Sequence, residues 1–494
     1  MRVLLVNPGT MTGYIPIGLS SIQANLKRHG FETDIFDTTL YAPTASKQWE
    51  MFSKQGVFHN TKQDTRIKMI DSHPSHDFLE KIEKFKPELV GFTVMTNHMQ
   101  LSVDLASVLK LKYPEIPVIF GGVHPTVVPE EAISLDCVDI ICVGEGEQPV
   151  VELCKRISNN LDYSDIYNIW IKKNGSIARN SLRKLMMVDE LPFLDWSNFP
   201  EANFLKPYRG KFYRAGHVEL GRGCPYSCTY CVNDSYLKIF NGLGRYARKK
   251  STNRIIEELV YYKQMYNLEM VKFQDETFLF GNADYFTELS RQYKKEIGLP
   301  FIAQTRVETV TDEKIKVIKE MGCVSLSIGI ESGNQEYRKT YLKRAYTNQQ
   351  CINAFDIINK YRIRTMAFNM IGLPDETYRD IRNTIKLNRR CRPTTAKANL
   401  FYPYPGTSLY EYCLTKGYIE KEPEVVEFRY DTILKRLKVP KDRLRWIAHT
   451  FYLRTLVPEI FSPLVRLCES KNWISQNLMS ILIKIFRYYR EKFV

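Results

Sequence analysis

The chain has 494 residues, 44% of them apolar and 25% charged, with a formal net charge of +15. That length exceeds what one hydrophobic core usually supports, so two or three domains are expected. No stretch approaches the ~20 apolar residues of a membrane-crossing helix, and eleven cysteines, mostly scattered singly, argue against a disulfide framework.

The start at Met1 runs straight into an apolar, strand-like stretch without the features of a secretory leader. A cytoplasmic location with reduced thiols is therefore expected. Residues 1–157 then alternate short strands with helices. Val3–Val6 reads as a buried strand ended by Asn7-Pro8-Gly9, Ile22–His29 as a helix closed by Gly30, and Thr33–Phe36 as the next strand. Leu89–Thr93, Val118–Phe120 and Val138–Val143 repeat the apolar strand pattern, with helices over Leu101–Lys112 and Pro149–Ile157. Such alternation predicts a doubly wound α/β domain with a parallel sheet covered on both faces.

Residues 158–210 are less regular, carry a hairpin signal at Lys173-Asn174-Gly175, and are punctuated by Pro192, Pro200 and Pro207, which predicts an inter-domain linker. From 211 to 415 strands and helices alternate again. Candidate strands are His217–Leu220, Met270–Gln274, Phe301–Thr305, Ser325–Ile330, Arg364–Met370 and Lys397–Tyr402. Six βα units are too few for a closed eight-stranded barrel, so a partial (βα)6 barrel of the TIM type is expected. Residues 416–494 read as a helical region. Its last helix is expected from an N-cap at Ser475 to Phe493, with Leu478, Ile481, Leu482, Ile485 and Phe486 on it beside Lys484, Arg487, Arg490 and Lys492. It suits either a cap over the barrel mouth or an interfacial helix on anionic lipid.

One group of cysteines is clustered. Gly221-Arg222-Gly223-Cys224-Pro225-Tyr226-Ser227-Cys228-Thr229-Tyr230-Cys231 follows directly on a candidate strand. Three thiolates within eight residues can fold around one face of an iron–sulfur cubane, for which Cys is the soft anionic ligand. Zinc sites normally want four protein ligands, and no fourth Cys or suitable His lies nearby. The other eight (Cys137, Cys142, Cys154, Cys323, Cys351, Cys391, Cys413 and Cys468) read as small buried hydrophobes.

The C-x-x-x-C-x-x-C spacing resembles the signature of the radical S-adenosylmethionine (SAM) superfamily, and the resemblance extends over about 210–410. It implies a 4Fe–4S cluster on Cys224, Cys228 and Cys231, whose open iron chelates SAM. Further SAM contacts are implied at strand ends: Tyr230 in the loop, Asp275 and Glu276 at the amino end, Arg306 on a carboxylate, Ser327 and Glu331 on the ribose, and Asn369 and Gly372 near the adenine. Tyr402 and Tyr404 lie near the expected mouth; no residue is assigned to the catalytic step itself. An electron donor of the flavodoxin or ferredoxin type is implied as a partner.

Residues 1–157 resemble the cobalamin-binding domain fused to one large radical SAM subgroup. The matching positions are Asn7, Gly18, Leu19, Thr93, Gly121, Gly122, Val123, His124, Gly144, Glu145 and Gly146, most of them after a candidate strand, where open α/β sheets bind ligands. The loop Asn7–Gly13 contains no histidine, so cobalamin is expected without a histidine on its lower face. Asp71-Ser72-His73-Pro74-Ser75-His76 superficially echoes a cobalt-binding loop but lacks its glycine, and His73 and His76 read as surface or capping residues. Together the two resemblances imply a cobalamin-dependent methyltransferase. Its 5′-deoxyadenosyl radical abstracts a substrate hydrogen, and methylcobalamin then delivers a methyl group to an unactivated carbon of a small-molecule or lipid substrate. An oxidative cyclase or rearrangement enzyme without methyl transfer is the alternative, since the architecture also resembles the anaerobic cyclase of bacteriochlorophyll synthesis. The basic balance is compatible with nucleic acid, an anionic membrane surface or phosphorylated substrates. No recognisable RNA-binding module stands at either end, so no nucleic acid is expected; a peripheral membrane contact through the C-terminal helix is consistent with its composition.

Overall fold

The computed structural model describes residues 1–10, 13–41, 67–173, 175–420, 431–469 and 473–493. Its first sheet is built from β1 (Arg2–Asn7), β2 (Glu32–Asp37), β3 (Leu89–Thr93), β4 (Val118–Gly121) and β5 (Ile140–Cys142), all parallel, in the order β2-β1-β3-β4-β5. The order reverses between β1 and β3, and at such a switch point loops diverge and leave a crevice at the carboxyl ends of the strands. Strand alternation divides the core. Val3 and Leu5 of β1 join an apolar cluster that continues into the second sheet, whereas Leu4 and Val6 face a separate cluster with Phe78, Phe92 and Phe120.

The expected linker is more structured than its prolines suggest. β6 (Ile169–Lys173) and β7 (Ser176–Arg179) extend the first sheet as an antiparallel hairpin, with Lys173 opposite Ser176 as the turn signal predicts; Asn174 itself lies outside the described residues. Farther on, Trp196 is 1% exposed and its ring lies 4.5 Å from that of Tyr262, while the Leu194 and Trp196 amides donate to the Tyr262 and Tyr266 hydroxyls. This stretch is buried core. Pro207 sits in β8 (Leu205–Tyr208), an edge strand antiparallel to β9 (Lys211–Val218), where a missing N–H can be tolerated.

The second sheet carries six parallel strands, as expected for a partial barrel: β9, β12 (Met270–Phe273), β13 (Phe301–Thr305), β14 (Cys323–Glu331), β15 (Arg364–Ile371) and β16 (Thr395–Leu400). Between β9 and β12 a short pair, β10 (Gly221–Arg222) and β11 (Arg248–Lys249), frames the cysteine loop. The convex face of the curved sheet is covered by helices. The first candidate strand begins six residues earlier than predicted because its start pairs with β8.

Helices Lys441–His449 and Phe451–Leu456 pack on β16 and so cover that edge strand, with Leu444, Ile447 and Phe451 fully buried. The last helix runs from Trp473 to Phe493. Ser475 therefore lies inside its first turn, not at the cap, and its hydroxyl donates to the Leu467 carbonyl (2.8 Å). Met479 and Ile483 are buried on this helix, while Ile481 and Ile485 are more than half exposed. No helix among the described residues is long and apolar enough to cross a membrane. The eight scattered cysteines are all buried, as expected.

Candidate active site between the two sheets

The carboxyl ends of the two sheets face each other across a cavity of about 300 Å³. Gly18, Leu19, Thr93, Gly121, Gly122, Gly144, Glu145 and Gly146 line it from the first sheet; Glu219, Arg222, Gln274, Asp275 and Glu276 line it from the rim of the second. Its inner part is an apolar slot between the sheet and helices Ile17–Arg28 and Glu147–Ser158, walled by Val3, Leu5, Ile22, Leu89 and Val150. A Cβ added at Gly18 would meet nothing within 4 Å, so this wall leaves open space for a ligand. Gly122 (φ +100°) and Gly144 (φ +90°) adopt backbone conformations that disfavour any side chain. An apolar slot with a polar rim and a glycine wall fits a large ligand with a flat apolar end.

Three of the eleven positions predicted to line this site do not. The Asn7 amide donates to Asp37 (2.8 Å). Val123 and His124 begin the helix Val123–Val127 beyond the cavity wall. His124 is 2% exposed, with Nδ1 3.2 Å from the Thr96 hydroxyl and Nε2 3.5 Å from Glu131. It is a structural histidine. No histidine among the described residues lines the cavity. His73 caps the helix Pro74–Phe85, and His76 bonds Asp77, in keeping with their expected capping and surface roles. His76, Asp77 and Glu80 lie together at the surface, far in sequence from the cysteine loop.

Cys224 and Cys228 are buried and Cys231 half-buried, all as free thiols. Each sulfur has a polar side chain beside it. Cys224 Sγ is 3.6 Å from the Thr277 hydroxyl, Asn233 Nδ2 donates to Cys231 (3.4 Å), and Arg306 Nη1 donates to Cys228 (2.6 Å). Burial pushes the Cys231 thiol up to about 12, so its ionisation calls for a nearby metal charge.

Two glycines let the loop close. A Cβ on Gly221 would stand 2.0 Å from the Arg248 carbonyl oxygen, and one on Gly223 (φ +82°) 2.5 Å from that of Tyr246. Gly221→Ala is therefore expected to part β10 from β11, destabilise the fold by about 1–3 kcal/mol, and shift the chemical-denaturation midpoint accordingly.

Arg306 stacks on Tyr226 (3.8 Å), pairs with Glu308 (2.5 Å), and keeps its buried Nε without a partner. Asp275 accepts from the Leu220 amide (2.9 Å), and burial pushes its carboxyl up to about 7. Glu276 faces the cavity, and burial, helped by the charge of Glu219, pushes it up to about 7 as well. Two such carboxyls suit a cationic ligand group. At the end of β14, Glu331 (φ +62°) accepts from the Tyr230 hydroxyl (3.1 Å) and from Arg344 Nη1 (2.5 Å), and Arg344 also donates to Tyr230 (2.8 Å). Ser327 lies half-buried on the same strand. Gly372 (φ +75°) follows β15, and its amide donates to Glu376 (2.6 Å).

Asn369 departs from its predicted role. Its side chain exchanges hydrogen bonds with Asn388 (2.7 and 3.2 Å) on the helix-covered face, so only its main chain is available to a ligand in the barrel. Sequence reasoning also missed the link between the two halves. Arg222 Nη2 pairs with Glu147 (2.5 Å) and its Nε with Glu219 (3.0 Å), and Arg222 also lies 3.6 Å from Glu145; Arg248 also pairs with Glu145. Glu145, predicted as a cofactor contact, thus lines the cavity and also clasps its two walls together. Tyr236, Phe240 and Tyr246 were missed as cavity residues too; their only signal is their position just after Cys231.

A half-barrel whose first strand feeds a three-cysteine loop, set against a sheet of order 2-1-3-4-5, has the architecture of a radical SAM protein with a corrinoid-type domain. Residues 218–387 match the radical SAM superfamily and residues 50–154 the B12 binding domain. The chain thus carries a radical SAM domain with a B12-binding domain ahead of it, and it is an enzyme. An uncharacterized methyltransferase of Pyrococcus horikoshii is 29% identical over 413 residues, covering 81% of this chain and 87% of the relative. Cytidylyl-2-hydroxyethylphosphonate methyltransferase of Streptomyces wedmorensis is 22% identical, covering 87% of this chain and 84% of the relative. Among solved structures, the radical SAM methyltransferase TsrM from Kitasatospora setae, with tryptophan and a SAM analogue bound, superposes with a TM-score of 0.64 at 16% identity, covering 93% of this chain and 84% of that one.

Proposed function

We infer that the chain is a cobalamin-dependent radical SAM methyltransferase that methylates an unactivated carbon of a small-molecule or lipid substrate after hydrogen abstraction. One observation carries this reading: eight of the predicted cobalamin positions and the rim just ahead of the cysteine loop line the same cavity. Cys224, Cys228 and Cys231 would hold the 4Fe–4S cluster. Asp275 and Glu276 would receive the SAM ammonium and Arg306 its carboxylate. Tyr230, Ser327 and Glu331 would meet the ribose, and the main chain from Asn369 to Gly372 the adenine. The glycine wall and apolar slot would seat the corrinoid. When bound, these groups supply an organic radical and a transferable methyl group. The protein's own contribution is to orient them across one cavity and to exclude water from it.

Anaerobic purification and reconstitution with iron, sulfide and cobalamin tests this directly. We expect about four irons and one corrinoid per chain, with 5′-deoxyadenosine and S-adenosylhomocysteine both formed from SAM once substrate is supplied. Formation of 5′-deoxyadenosine alone, with an unmethylated product, would replace methyl transfer by an oxidative or rearrangement reaction.

A further inference from the structure

The C-terminal helices carry more apolar surface than the rest of the chain covers. Residues 460–488 hold eight of the seventeen large apolar or aromatic side chains that are exposed among the described residues. Their spacing is helical. Ile460, Leu464 and Leu467 recur at i, i+4 and i+7 through the 3-10 turn Glu459–Phe461 and the helix Ser462–Arg466, and Ile460 is 81% exposed. Val465 and Cys468 of the same stretch turn inward and are buried. On the helix Trp473–Phe493, Ile474, Ile481 and Ile485 recur at i, i+7 and i+11 and are more than half exposed, while Met479 and Ile483 are buried. The two stripes adjoin. The Phe461 ring lies 6.1 Å from that of Phe486, and by register Leu478 and Leu482, both half-buried, fall between Phe486 and the exposed stripe. A contiguous exposed apolar surface of this kind marks an interaction site.

The charge around it is positive. Arg382, Lys386 and Arg389 recur at i, i+4 and i+7 on the helix Tyr378–Cys391 and share one carboxylate, that of Glu459. Arg382 bonds it directly, Lys386 stands at 3.7 Å and Arg389 at 4.0 Å. Three cations on one anion leave an excess of positive charge beside Ile460. Arg466 and Lys484 are exposed, next in sequence to Leu467 and Ile485, and have no ion pair among the described residues. Glu469 is already held by Arg443 and Arg454. From residue 459 to the end the sequence has six Lys and Arg against three Glu. Pairing this face with its own copy across a two-fold axis would set cation against cation. Apolar side chains ringed by cations instead match the boundary of an anionic bilayer, where acyl chains lie just below phosphate headgroups.

We propose that this face docks on the surface of an anionic lipid bilayer. Ile460, Leu464, Ile481 and Ile485 enter the acyl boundary, while Arg382, Lys386, Arg466 and Lys484 meet the headgroups. The helix rests on the bilayer and does not span it, since no helix among the described residues is long and apolar enough to cross. The contact is independent of the reaction inferred above.

The test is co-sedimentation of the full chain with vesicles of equimolar phosphatidylglycerol and phosphatidylcholine, and with vesicles of phosphatidylcholine alone. Wild type should bind the anionic vesicles at least tenfold more tightly than the neutral ones, and lose most of that preference in about 1 M salt, where charges are screened within ~3 Å. Replacing Arg466 and Lys484 together by Gln should weaken binding to anionic vesicles at least tenfold, at about fivefold per charge. The double variant Ile481→Ser with Ile485→Ser should weaken it roughly tenfold through lost apolar burial. The control Leu111→Ser, at a residue 85% exposed on the helix Met99–Lys112, should bind as wild type does. Circular dichroism melting confirms that each variant folds. No binding of wild type to anionic vesicles, equal binding to both lipids, or equal binding by all variants would overturn the proposal. A lipid-free wild type that sediments as a dimer, made monomeric by the two Ile→Ser changes, would assign the face to a second copy and overturn it as well.

Discussion

Cys228→Ala will abolish cluster assembly and all 5′-deoxyadenosine formation while leaving the fold intact. Cys228 is the middle thiol of the loop and is 5% exposed, so two sulfurs would remain where three are needed to hold a cubane by all but one of its irons. The loss should be complete, with iron falling to background in the reconstituted variant. The fold should survive because little volume is removed and the one strong partner is not stranded. Arg306 loses its bond to the sulfur but keeps Glu308 and its stack on Tyr226. Stability should change by about 1 kcal/mol, checked by denaturant melting of the metal-free proteins. A variant that still binds four irons would show that these thiols are not the ligands.

Arg222→Met should have the largest effect on stability. Its guanidinium is the hub joining Glu147, which opens the helix Glu147–Ser158, to Glu219 just after β9, and Glu147 is 3% exposed. Removing one partner of a buried pair leaves a stranded charge and costs about 3–5 kcal/mol. Burial by itself would raise the Glu147 carboxyl. Arg222's charge and hydrogen bond, with the Ser21 hydroxyl, reverse that and hold it below its ordinary value of 4.5. In the wild type, the stability this group contributes is therefore present above pH 4.5 and is lost as pH falls through the depressed folded value. Without Arg222 the sign inverts, since burial then raises the folded value and penalises the charged form. The gap between wild type and variant should be widest near neutral pH and shrink as pH falls through the variant's raised value and on to the wild type's depressed one. Urea melts at several pH values measure this, and adding Glu147→Gln to the variant should recover a large part of the loss. A gap that does not vary with pH would mean that Glu147 is not the stranded charge.

The strands were legible because short β-branched runs bounded by Gly, Pro or polar residues carry their own boundaries; Leu89–Thr93 and Phe301–Thr305 fall on the residues predicted. The glycines of the cavity wall and the cysteine loop were legible for a related reason, since their chemistry is local. What was not legible depends on which way a side chain points. On β15 the large residues Met366, Phe368 and Met370 take the open concave face, while Thr365, Ala367 and Asn369 are buried under helices. That reverses the usual apolar-inside pattern, so the outward turn of Asn369 had no signal. The Arg222–Glu147–Glu145–Arg248 clasp joins residues up to 103 positions apart, and no pattern along a chain identifies such partners. His124 fits the cofactor loop by position, yet one turn of helix removes its ring from the cavity.

The cavity is a seam, with one wall from residues 3–150 and the other from residues 219–276. Any molecule seated there touches both halves at once and acts as mortar between them. Its binding free energy adds directly to the cohesion of the interface. Loading the cofactors and securing the two halves are, for this architecture, a single thermodynamic event.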